Sequence, residues 1–196
     1  MSNSTSRTPR DQDQRAWLWA RPPQALDAEQ AVLAACLHSR TALDAVAEAL
    51  DADDFARPAH QLIWPVLVTL HREGTPVDPL ILGHRLRREG LLHRAGGHGY
   101  LYELSGTAHS ATAVDYYAVI VAEAAWSRRL HQLGKHLIAA TAHGTDPAAV
   151  HAEALHRLTE TTHRNQRTAA RLAPGTAEAA SIRTAAPLSA VPSPAA

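Results

Sequence analysis

Apolar residues recur at helical spacing along most of this chain. Between residues 41 and 50, for example, Leu43, Val46, Ala47 and Leu50 follow the i, i+3, i+4, i+7 pattern of a helix with one buried face. Prolines and glycines interrupt the pattern where helix ends are expected, and no segment alternates apolar and polar residues as a half-buried strand does. The pattern predicts an all-α protein with a small globular bundle of about five helices over residues 22–109.

A longer pattern follows this bundle and predicts a helix from about residue 112 to 143. Its apolar positions, spaced as a seam for another helix, are Val119, Trp126, Leu130, Leu133 and Leu137. Gly144 suits the end of this helix, and Asp146-Pro147 suits the start of the next helix after a short connection. Residues 110–165 are therefore predicted to form a protruding antiparallel helical hairpin, in which the returning helix has about four turns.

The apolar stripe of this hairpin is too wide for a short returning helix to cover. A second copy of the chain or another protein would cover the rest, so self-association is expected. The positions predicted to form this oligomer or partner interface are Val119, Trp126, Leu130, Leu133, Leu137, Val150, Leu155 and Leu158. In the alternative, the arm folds back on the globular bundle, which would cover the stripe within one chain.

Both ends of the chain are poor in large apolar residues. Residues 1–21 and residues 166–196 are therefore predicted to be disordered. The first of these segments contains Trp17 and Trp19, which would serve as anchors, either on the chain's own domain or as a short motif for another protein.

Several short motifs occur in an order that is similar to a known family. They are Pro22 to Leu37, Asp54-Phe55 ahead of Arg57-Pro58, Gly74 to Asp78, Gly96-Gly97 before Tyr100-Leu101, and Tyr117 before Ile120-Val121. Over about residues 22–165 the chain resembles the N-terminal domain of the replicative DNA helicase DnaB. The resemblance implies a module that forms dimers and a ring collar and whose hairpin engages primase, and in that family a RecA-type ATPase motor follows.

The chain departs from the family pattern where Ala122 precedes Glu123, because family members usually place a basic residue at that position. The prolines after Arg164 also differ from the linker helix that continues the family's domain. Any contact that the basic residue makes in the family is therefore not carried over to this chain.

The residues that catalysis would need do not converge in this sequence. Lys135 is the only lysine, and it lacks the earlier glycine and the following Ser or Thr of a phosphate-binding loop. The thirteen histidines include no convincing metal-ligand spacing, and no serine, histidine and carboxylate form a recognisable triad. We expect no enzyme activity, no cofactor and no metal site.

The charge pattern leaves one candidate nucleic-acid patch. The formal net charge is zero, which argues against a chain whose affinity rests on neutralising many phosphates. Arg85, Arg87, Arg88 and Arg94 nevertheless cluster on one predicted helix and the turn after it. The same arginines would also lie on an ordinary solvated helix face.

The favoured hypothesis is a non-catalytic module of DNA replication or primosome assembly. Its expected partners are a second copy of the chain, primase, a full-length replicative helicase or a loader. The alternatives are a nucleic-acid-binding regulator that uses the four arginines and a remnant with no retained role. Cys36 is the only cysteine, and the polar start of the chain does not resemble a signal peptide. We therefore expect a cytoplasmic protein without a membrane segment.

Overall fold

The computed structural model describes residues 23–107 and 111–172. These residues form seven α-helices and two short 3-10 turns, Ala52–Asp54 and Ala111–Ala113, and they include no strand, which confirms the all-α class. Trp17, Trp19 and the tail from residue 173 onward lie outside the described residues. The helices are α1 (Pro23–His38), α2 (Arg40–Val46), α3 (Pro58–Arg72), α4 (Pro79–Arg88), α5 (Gly97–Gly106), α6 (Val114–Ala142) and α7 (Pro147–Leu172).

Side-chain caps set the starts of two helices in the globular bundle. The hydroxyl of Ser39 accepts a hydrogen bond from the N–H of Ala42 at 3.1 Å, at the start of α2. Asp78 accepts one from the N–H of Ile81 at 2.8 Å, and Pro79 follows as the first residue of α4, where its missing N–H costs no bond. Local sequence therefore fixes where these helices begin.

The core of the bundle lies between α1, α2, α3, α4, α5 and the first half of α6. It is aliphatic apart from a few aromatic rings, and its largest fully buried apolar side chains are Phe55, Leu33, Leu43, Ile63, Leu67, Leu70, Leu82, Leu86, Leu101 and Leu104. α1 and α6 pack along each other. Both helices carry buried alanines, whose small side chains allow close approach: Ala28, Ala31 and Ala35 on α1, and Ala118, Ala122 and Ala125 on α6.

Two sets of contacts show that α1 and α6 run in opposite directions. At the end of α1, His38 bonds the carbonyl oxygen of Ser105 at 2.6 Å, and the 3-10 turn that leads into α6 packs on α1. Nearer the start of α1, Glu29 accepts the N–H of Ala56 at 2.6 Å. Just before Ala56, the carbonyl oxygen of Asp54 accepts a hydrogen bond from Arg128 of α6. The start of α1 therefore lies beside the middle of α6.

The hairpin consists of α6 and α7, joined by a turn in which Gly144 has a φ of +74° and Pro147 begins the returning helix. α7 has 26 residues and ends at Leu172, so it is longer than the four turns predicted and continues beyond the expected end at residue 165. Its last turn has partners on the globular bundle, since Arg171 donates a hydrogen bond to the carbonyl oxygen of Glu48 and Leu172 is buried. These tertiary contacts explain a helix that composition alone does not favour.

Candidate functional site: the helical hairpin

The hairpin carries most of the large apolar side chains that are exposed in the described part of the chain. Four of the predicted interface residues belong to this group, with exposed fractions of 37% for Trp126, 38% for Leu130, 53% for Leu155 and 41% for Leu158. We call these four residues the hairpin apolar set. Their exposure costs free energy in water and would be relieved by a contact with another surface.

The other four predicted interface residues lie deeper. Leu133 is buried, and Val119, Leu137 and Val150 are half-buried. The chain itself therefore covers part of the stripe, and Val119 packs against the core of the bundle. Ile138, which the sequence pattern did not single out, is the most exposed large apolar residue of the hairpin at 71%.

A cluster of charges joins the hairpin to the globular bundle. Arg164 of α7 donates hydrogen bonds to Asp53 at 2.7 and 2.9 Å and to Asp51 at 2.9 Å. Arg129 of α6 forms an ion pair with the buried carboxylate of Asp54. We call these five residues the hairpin latch, because two hairpin helices are held on the single turn that runs from Asp51 to Asp54.

The charges of the latch stabilise one another. Partial burial alone would raise the pKa of Asp53, but the hydrogen bond and positive charge of Arg164, with a smaller effect from Arg129, outweigh it and lower that pKa below its usual range. Burial alone would lower the pKa of Arg164, but its bond to Asp53 and the charges of the three carboxylates raise it. Both groups are therefore held in their charged forms.

No sequence pattern indicated this latch or a buried network in the globular bundle. Glu29 and His60 are fully buried and are joined by a hydrogen bond of 2.7 Å. The other ring nitrogen of His60 bonds the hydroxyl of Tyr100 at 2.6 Å, and Arg57 donates to the same hydroxyl at 3.0 Å. Burial raises the pKa of the Tyr100 hydroxyl, although a hydrogen bond with Gln30 and the charge of Arg57 oppose that rise.

This buried network involves the motifs that carry the family resemblance. Glu29 comes from Pro22 to Leu37, Arg57 from the Arg57-Pro58 motif and Tyr100 from Tyr100-Leu101. The network ties α1 to α3 and α5, and Glu29 also accepts the N–H of Ala56, so each carboxylate oxygen has a protein partner. A buried carboxylate with several donors is a stabilising part of a fold.

The predicted nucleic-acid patch is only partly available to a ligand. Arg85 forms an ion pair with Glu73, and Arg87 makes a 3.0 Å hydrogen bond with His98. Arg88, in the last turn of α4, and Arg94, in the turn that follows, are both exposed. The structure therefore places the four arginines at one end of α4, with two of them engaged by neighbouring side chains.

Cys36 is buried as a free thiol, and burial raises the pKa of this thiol well above the usual range. In the portion of the chain that the structure describes, every helix is too short or too polar to cross a membrane.

The chain is similar to a known protein family and to proteins of known identity. Residues 21–123 match the family model described as the DnaB-like helicase N terminal domain. The replicative DNA helicase DnaB of Mycobacterium leprae is 43% identical over 133 residues, which is 66% of this chain and 22% of that helicase. The replicative DNA helicase DnaC of Bacillus subtilis is 39% identical over 109 residues, which is 56% of this chain and 24% of that helicase.

A solved structure agrees with these sequence matches. The crystal structure of the N-terminal domain of DnaB helicase from Mycobacterium tuberculosis is 40% identical and superposes with a TM-score of 0.66, over 71% of this chain and 99% of that one. The chain thus spans less than a quarter of the length of the M. leprae helicase but nearly all of this isolated domain. On its sequence and its helical fold, the chain belongs to the family of DnaB-like helicase N-terminal domains.

Proposed function

We propose that this chain acts as a non-catalytic assembly module of DNA replication that self-associates through its hairpin. The family to which it belongs is named for replicative helicases. The observation that carries the proposal is the hairpin apolar set, four large side chains that remain exposed after the hairpin has packed on itself. Burying such residues between two copies is the simplest way to remove them from water.

The hairpin latch supports this proposal because it holds the hairpin in one position on the globular bundle. Arg129 and Arg164 hold both hairpin helices on the turn from Asp51 to Asp54, and Leu172 is buried at the end of α7. A preorganised surface loses less conformational entropy when a partner binds than a mobile arm would.

Self-association is tested with a double substitution in the returning helix. Leu155→Ser with Leu158→Ser removes two exposed residues and should leave the fold intact. Leu80→Ser is the matched control, because Leu80 is 61% exposed on α4, away from the hairpin. Sedimentation velocity should show oligomers of the unaltered chain, and the hairpin variant should raise the dissociation constant at least about tenfold. A chain that stays monomeric up to about 100 µM would contradict the proposal.

The wider proposal is that the assembled module binds primase, a full-length replicative helicase or a loader in the cytoplasm. Pull-downs with each cognate protein test it, with the Leu155 and Leu158 double variant and the Leu80 control in parallel. Binding through the hairpin would be supported if the Leu80 control still retains the cognate protein and the hairpin variant does not. If none of the three proteins is retained by the unaltered chain, this part of the proposal is wrong.

A nucleic-acid-binding regulator is the second candidate, and the exposure of Arg88 and Arg94 at one end of α4 favours it. Each phosphate contact would make binding weaken as salt concentration rises. Changing Arg85, Arg87, Arg88 and Arg94 to alanine should then abolish a gel shift with duplex or single-stranded DNA. An unchanged gel shift in this quadruple variant would eliminate the candidate.

A further inference from the structure

One feature of the sequence has no part in the proposed function. Trp17 and Trp19 flank Leu18 in the short segment Arg15–Arg21, and the fifteen residues before Ala16 are polar apart from Met1 and Pro9. Tryptophan side chains bury large apolar areas and often act as anchors. Only three residues separate Trp19 from Pro23, the first residue of α1.

The packing of α1 on α6 determines what lies near Pro23. The end of α1 lies near the start of α6, because His38 bonds Ser105 and α1 packs on the turn Ala111–Ala113. Pro23 lies fifteen residues before His38, which is about 22 Å back along the helix axis. Because the two helices pack side by side in opposite directions, the same distance along α6 leads to about residue 128, between Trp126 and Leu130.

An apolar strip is exposed at that level. Trp126 and Leu130 are one helical turn apart, so their side chains are neighbours on the surface of α6, and each is more than one-third exposed. Packed helices lie 8 to 10 Å apart, while the four residues from Trp19 to Pro23 span up to about 14 Å when extended. The aromatic pair can therefore reach the strip from the start of α1.

Tethering favours the same pairing. A segment joined to its binding surface by a few residues has an effective concentration on the order of millimolar, so a weak contact is enough to keep it bound.

We infer that the segment Arg15–Arg21 covers the strip formed by Trp126 and Leu130 in the same molecule, with Trp17 and Trp19 as its anchors. The inference concerns a single chain and does not depend on the proposed self-association. It assigns to the N-terminal segment a binding site on α6. Any second copy that uses Trp126 and Leu130 would first have to displace this segment.

The test places a photoreactive benzoylphenylalanine at Trp19 in the full-length chain. Illumination is carried out at about 1 µM protein, where weak association is negligible. The sample is a mixture of isotopically light and heavy protein, so that links within a chain differ in mass from links between chains. The expected product is a link within one chain to α6 between residues 123 and 134. A probe at Thr8, in the same segment but outside the aromatic pair, should link to this region far less.

Two variants make the result specific. Trp126→Ser with Leu130→Ser should lower the yield of the α6 link at least about tenfold, because it removes two apolar contacts. Tyr116→Ser is the matched control and should leave the yield of the link unchanged. Tyr116 is 51% exposed on the same helix but lies ten residues before Trp126, about 15 Å away along the axis. Links only between chains, links scattered over α4 and α5, or a yield that the double variant does not lower would each overturn the inference.

Discussion

Replacement of Arg164 by alanine is the most direct test of how the hairpin is held on the globular bundle. Arg164 is the residue of α7 that bonds Asp51 and Asp53, and it lies 3.5 Å from a carboxylate oxygen of Asp54. The substitution leaves Arg129 on α6 as a partner of Asp53 and Asp54. It should therefore loosen α7 on the bundle, where Arg171 and Leu172 still hold its last turn, while α6 stays attached.

The expected magnitude follows from the exposure of the groups. The side chains of Asp51 and Asp53 are 72% and 64% exposed, so solvent screening holds each of their pairs with Arg164 to below about 1 kcal/mol. Asp54 is only 4% exposed, but its shorter contact is with Arg129. Together these contributions give a loss of about 1–2 kcal/mol.

Hydrogen exchange followed by mass spectrometry measures this loss where it occurs. Peptides from residues 161–172 should exchange about 5 to 30 times faster in the Arg164→Ala variant, the factor that corresponds to 1–2 kcal/mol. Arg157→Ala is the matched control, because Arg157 pairs with Glu153 on the same helix and does not touch the bundle. Equal exchange in the two variants would refute the idea that the latch holds α7 in place.

Three further predictions concern groups that the structure buries or pairs. Because the pKa of Asp53 is lowered in the folded protein, the stabilisation that its carboxylate gives to the latch should be complete above the ordinary aspartate pKa of about 3.9 and lost as the pH falls further. Acid should therefore speed hydrogen exchange at the end of α7. An exchange rate that does not depend on pH, after correction for intrinsic exchange, would argue against this prediction. His60→Ala leaves the buried Glu29 without its side-chain partner and should lower the free energy of unfolding, measured with urea, by about 3–5 kcal/mol. A loss below about 1 kcal/mol would mean that water replaces the histidine. The buried Cys36 thiol, with its raised pKa, should react with a disulfide reagent only in denaturant, and fast reaction in the native state would contradict its burial.

The sequence predicted the fold well because helix ends depend on neighbouring residues. Ser39 and Asp78 cap α2 and α4 with their own side chains, and the hairpin turn falls at Gly144 and Pro147, as the sequence predicted. The end of α7 could not be predicted in this way. Its last turn depends on Arg171, which bonds a carbonyl oxygen 123 residues earlier, and on Leu172, which is buried in the core cluster. No local pattern reveals these tertiary contacts.

The candidate site was predicted only in part, for a similar reason. Periodicity identifies which residues share a face of a helix, but it does not show which neighbours cover that face. Trp126 and Leu155 remain exposed, whereas Leu133 is buried within the chain. The latch was missed because Asp51 and Arg164 are 113 residues apart in sequence, and each is an ordinary surface residue when considered alone.

The positions of the family motifs decide where function has to be tested in this protein. Glu29, Arg57 and Tyr100 are engaged in the buried network around His60, so their substitution would weaken the fold and abolish every function at once. Leu155 and Leu158 contribute less to the fold, because both side chains are exposed. Loss of partner binding after a change at Leu155 or Leu158 would therefore report on the interface itself, whereas the same loss after a change at Glu29 would report only on folding.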